Sequence, residues 1–99
     1  MNKIKTILIV IFLMIPTLCL AEPHWYQATA LTGGAASSLD SINGQNLLDN
    51  DRAMVFTTTA VYFYYLDVDS GASESSPDVI SPDSNAGDKR WILIQSITP

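Results

Sequence analysis

The sequence predicts an all-β domain, a small antiparallel sandwich or open barrel of about five strands, placed behind an N-terminal signal peptide. Two observations carry the β assignment. Short stretches rich in β-branched and aromatic residues (25–31, 60–68 and 91–97) alternate with clusters of Gly, Asn, Asp, Ser and Pro. No segment beyond the N-terminal stretch sustains apolar residues at helical spacing.

The N-terminal segment comes first. Met1 to Lys5 carries two lysines and no acid, and leads into an apolar run from Thr6 to Leu20. That run falls short of the ~20 residues a helix needs to cross a bilayer, and Pro16 interrupts it. Cys19 and Ala21 supply the small residues wanted three and one positions before a cut between Ala21 and Glu22. The expected organisation is a signal peptide at 1–21 and a single β domain at 22–99, secreted or periplasmic, with no membrane attachment after cleavage. A lipidated Cys19 would want a small residue before it, where Leu18 stands, and an uncleaved anchor would want a longer apolar run.

The mature segment then reads in order. Trp25 to Leu31 is a first strand, ended by Gly33-Gly34 and the small residues that follow. Asn43-Gly44 lies between short apolar pieces and predicts a tight hairpin reversal, because this dipeptide suits positive φ angles. After the turn cluster 49–52 comes a strand from Ala53 to Thr57. The run Ala60 to Val68 is apolar on both faces and belongs in the middle of a sheet or inside an oligomer. A long acidic loop follows, broken by Val79-Ile80, a short edge strand that Pro77 and Pro82 keep from pairing further. Trp91 to Ile97 closes the domain, with Trp91, Leu93 and Ile97 expected on one face and Ile92 and Ile94 on the other.

Composition narrows the function classes. Removing 21 of 99 residues leaves 78, one small domain with a modest core. Cys19 is the only cysteine and departs with the signal, so packing or association with other chains must supply what a disulfide would. The mature part holds three basic residues, Arg52, Lys89 and Arg90, against ten acids, a formal charge of −7. Nucleic acid is excluded as an expected partner, because binding to phosphate backbones rests on clustered Lys and Arg.

An aromatic strand, an acidic loop, the proline-framed pair Pro77-Asp78-Val79-Ile80-Ser81-Pro82 and then Gly87-Asp88-Lys89-Arg90-Trp91 follow one another between about Leu47 and Leu93. This arrangement resembles small β modules of phage tail fibres and tailspikes, and of exported bacterial proteins. The resemblance implies an attachment or assembly part and not a catalyst.

The candidate chemical groups are few. His24 is the only histidine and lies close to the expected mature terminus, a poor setting for a base that needs a nucleophile and an orienting partner. With no mature cysteine, a Cys/His zinc site has no ligands. The many loop acids read as solvated charge. Within them Asp67, Asp69 and Asp78 have the spacing of a calcium loop, although Gly71 stands one residue early and no helices flank the segment. Trp25, Tyr62 and Tyr64 are the candidates for an exposed stacking platform, whereas Phe63, Tyr65 and Trp91 are expected in the core. The expectation is an exported, non-catalytic structural or binding module that forms homo-oligomers. The alternative is a carbohydrate-binding protein that meets a cell-surface glycan through exposed aromatics, with or without calcium.

Overall fold

The computed structural model describes residues 24–98, so the signal-peptide segment and its cleavage site lie outside the described residues. Five strands form one mixed sheet: β1 (Trp25–Ala28), β2 (Arg52–Phe56), β3 (Val61–Asp67), β4 (Val79–Ile80) and β5 (Arg90–Ile97), in the order β1-β2-β3-β5-β4. The all-β class and the strand count are as expected. β3 is central, paired antiparallel with β2 on one side and β5 on the other. Its unbroken run of β-branched and aromatic residues suits a strand flanked on both edges. β4 is the short edge strand, paired with Ile92 and Trp91 of β5; Val79 also exchanges backbone hydrogen bonds with Ser75, both at 2.9 Å, so Pro77 and Pro82 do not keep the pair from pairing further.

One strand departs from an antiparallel scheme. β1 pairs parallel with β2, Trp25 opposite Arg52 and Ala28 opposite Val55. A parallel pair cannot be joined by a tight turn, and residues 29–51 make the required crossover. Asn43-Gly44 therefore does not turn a hairpin. The Asn43 side chain accepts a hydrogen bond from the Gln45 N–H at 2.9 Å and opens a 3₁₀ turn over Gly44–Asn46. Glycine is needed there for a close approach, since a Cβ at Gly44 would run into the Asn85 carbonyl oxygen.

The crossover lays its apolar side chains on one face of the sheet. Leu39 and Leu47 cover Ala28, Ala53, Val55, Tyr64, Leu66, Ile80 and Trp91, all buried, with Tyr26, Leu31, Ile42, Tyr62, Val68 and Leu93 packed around them. Burying one such large apolar side chain contributes about 1.5–3 kcal/mol. The loop before β5 is tied to the crossover: the Asp83 N–H donates to the Asp40 carbonyl and the Gly44 N–H to the Ser84 carbonyl, both at 2.8 Å, and Lys89 Nζ reaches the Gly44 carbonyl at 2.6 Å. Arg90 Nε donates to the Ala72 carbonyl at 2.7 Å. Gly87 takes a positive φ of 51° in the turn that leads Lys89, Arg90 and Trp91 into these positions. The Gly-Asp-Lys-Arg-Trp segment thus fastens the loops onto the core.

The alternation along β5 is broken. A β-bulge lies opposite the Phe63–Tyr64 step: Leu93 pairs with Tyr64 and Gln95 with Phe63, leaving Ile94 as the extra residue. One inserted residue moves everything beyond it to the other side. Trp91 and Leu93 face the core as expected, but Ile97, opposite Val61, faces away from it with Ile92.

Candidate functional site

Among the described residues no segment lies over the second face of the sheet. Because Ala53, Val55, Tyr64 and Leu66 point into the core, their strand neighbours Arg52, Met54, Phe56, Val61, Phe63 and Tyr65 point the other way. Trp25, Gln27, Ile92, Gln95 and Ile97 join them through the pairing of β1 with β2 and of β3 with β5. Trp25 is 64% exposed, and Phe56, Ile94 and Ile97 are each about half exposed. Four strands across and up to eight residues long, the face spans about 400 Å² in projection, polar residues included.

Charge is distributed unevenly around the sheet. Among the described residues, this face carries no acid and one cation, Arg52, from the Trp25–Arg52–Tyr65 row to the Phe56–Val61–Ile97 end. The Arg52 guanidinium donates to the Asn50 carbonyl at 3.1 Å and lies 5.8 Å from the centre of the Tyr65 ring, a cation–π distance. Beside it is a shallow groove of about 250 Å³, bordered by Trp25, Arg52, Phe63, Ile94 and Gln95. Asp67 stands at the rim, opposite Arg90, its carboxylate accepting the Asp69 N–H at 3.0 Å.

The residues singled out in the sequence fall in different places. Trp25 is exposed as expected, and Trp91 is wholly buried, in edge-to-face contact with Tyr26 at 6.0 Å. Tyr62 and Tyr64 lie on the core side, their rings 6.4 Å apart, and Tyr64 is completely buried. Tyr64 is therefore not presented on a surface platform. Its hydroxyl donates to the Pro77 carbonyl at 2.7 Å and holds the acidic loop to the sheet. Burial, then Tyr62 and the Asp78 carboxylate, push the Tyr64 phenol well above its ordinary value of 10.0. Burial and, secondarily, Asp51 raise Tyr26. Phe63 and Tyr65, expected in the core, are half-buried on the open face, because β3 enters the sheet with its even-numbered tyrosines turned inward.

Asp67 and Asp69 share one turn, while Asp78 lies beside β5, its carbonyl accepting the Leu93 N–H at 3.0 Å. Among the described residues no group of three or more His, Cys, Asp or Glu side chains is placed to hold a metal ion. Two acids the sequence did not single out have structural roles. Asp51 is fully buried and accepts the His24 and Leu48 N–H groups, both at 2.9 Å. Asp40 accepts the Gly33 and Gly34 N–H groups, each at 3.1 Å, and the Ser38 hydroxyl at 2.6 Å. His24 Nδ1 stands 3.6 Å from Asp51, beyond hydrogen-bond range, and both Asp51 oxygens are committed to backbone donors. The pair is a clamp on the start of β1.

No helix among the described residues is long and apolar enough to cross a membrane. No protein-family model, curated protein or solved structure matches this chain.

Proposed function

We propose that the mature domain is an exported, non-catalytic structural module that assembles with copies of itself through the open face of its sheet. The observation that carries this reading is the pairing of a mostly apolar face, whose one acid among the described residues, Asp67, stands at its rim, with an otherwise acidic chain. Copies with a formal charge of −7 repel through their loops, and this face is where they can approach without bringing acids together. A single-layered sheet also gains a second layer by such stacking. The resemblance to tail-fibre modules agrees with a part built for assembly.

The test is to place an acid in the patch. Ile94 is 55% exposed on the bulge, so Ile94→Asp leaves the core intact. Sedimentation of the mature domain at micromolar concentration should give an oligomer, and Ile94→Asp should give a monomer with the circular-dichroism spectrum of the wild type. A wild-type monomer at every concentration overturns the proposal. The exposed Trp25 ring beside Arg52 and Gln95 favours a second reading, in which the groove takes a sugar ring on a cell-surface glycan.

A further inference from the structure

We infer that two copies meet face to face about a two-fold axis, with Trp25 of each inserted into the groove of the other. This rests on the self-assembly reading and adds its geometry and its anchor. A two-fold interface uses the same patch on both subunits, so the patch must contain both a projection and a recess that accepts it. This face has both. Trp25 stands 64% exposed at the border of the groove, and the recess beside it is lined by Arg52, Ala53, Phe63, Tyr64, Ile94 and Gln95.

The occupant follows from chemistry on the same face. A sugar ring in the groove would leave Phe56, Val61 and Ile97 in water at the far end of the sheet, whereas a second sheet covers them. A basic partner finds among the described residues only Asp67, at the rim and opposite Arg90. An acidic one meets a single Arg52, already held by the Asn50 carbonyl. The second copy brings an apolar face of the same width, and the flanking acids of both chains stay at the periphery. Trp is also the side chain that most often anchors a protein interface.

The experiment is iodide quenching of tryptophan fluorescence on the mature domain across a dilution series, with light scattering on the same samples. Trp91 is wholly buried and beyond iodide's reach, so the quenched signal reports Trp25. Quenching should be strong in the dilute monomer and fall as scattering rises. Trp25→Ala should weaken assembly by about tenfold or more without changing the monomer's melting temperature, and Trp25→Phe should restore part of it. Assembly with Trp25 still fully quenched, or Trp25→Ala assembling like wild type, overturns the insertion while self-assembly stands. A monomer at all concentrations overturns both. Protection of Trp25 in the dilute monomer by added cello-oligosaccharides assigns the groove to a sugar and overturns the inference.

Discussion

The two faces of the sheet are built from the same kinds of residue and differ in what lies over them. On one, Tyr64, Leu66, Val55 and Trp91 are sealed by Leu39 and Leu47 from the β1–β2 crossover. On the other, Phe63, Tyr65, Met54 and Ile92 alternate with those residues along the same strands, and no segment among the described residues crosses them. Apolar composition does not by itself make a core. The crossover is committed to one side by its anchors: Asp51 holds the start of β1 and the end of the crossover, and Asp40 ties Gly33 and Gly34 into the turn that sets down Leu39. Among the described residues that crossover covers one side of the sheet and no other segment covers the second.

The contrast is broken most severely at Trp91. Trp91→Ala empties the middle of the covered face and should cost about 3–5 kcal/mol, enough to unfold much of the population of a small domain, as urea denaturation would record. Next is Asp51→Ala, which leaves the His24 and Leu48 N–H groups without their acceptor. A loss of about 1–3 kcal/mol is expected, with faster amide exchange confined to β1 and residues 46–50. Equal exchange throughout the sheet would refute the clamp.

Tyr64→Phe removes only the hydrogen bond to the Pro77 carbonyl and should cost about 1 kcal/mol. It carries a pH signature as well. The folded protein holds the neutral phenol, so its raised pKa stabilises the fold fully below 10.0, where the unfolded phenol is also protonated. Above that pH the unfolded chain ionises first and this contribution declines. Wild-type stability should fall through the alkaline range more steeply than that of Tyr64→Phe, and parallel curves would argue against the assignment. The smallest effect belongs to the open face: Trp25→Ala should change monomer stability by less than about 0.5 kcal/mol, and its consequence should appear only in assembly. Matching melts for Trp25→Ala and Trp91→Ala would erase the distinction between the faces.

Part of the candidate site was legible in the chain. The position of Trp25 next to the expected mature terminus pointed to exposure, and the doubly apolar run of β3 pointed to a surface needing a partner. Arg52 lies within a turn cluster, and Gln95 stands beside Ser96 in an otherwise apolar strand, so neither is marked by its neighbours in the chain. The tyrosines were misassigned because strict alternation in a strand with apolar residues on both sides gives no preference for either face. Asp40 and Asp51 looked like turn acids, and only folding brings Gly33, Gly34, His24 and Leu48 within reach of their oxygens.

The sequence alone determined the β class, the central place of β3, the short edge strand at β4 and the burial of Trp91. These follow from local propensity, turn chemistry and side-chain size, which neighbouring residues decide among themselves. Tertiary structure decided the parallel placement of β1, the bulge that turns Gln95 and Ile97 away from the core, and which side the crossover covers. Each of these is a matter of register between segments far apart in the chain. A shift of one residue exchanges the faces without changing the local pattern, so only the pairing of whole strands and the placement of Leu39 and Leu47 select one of them.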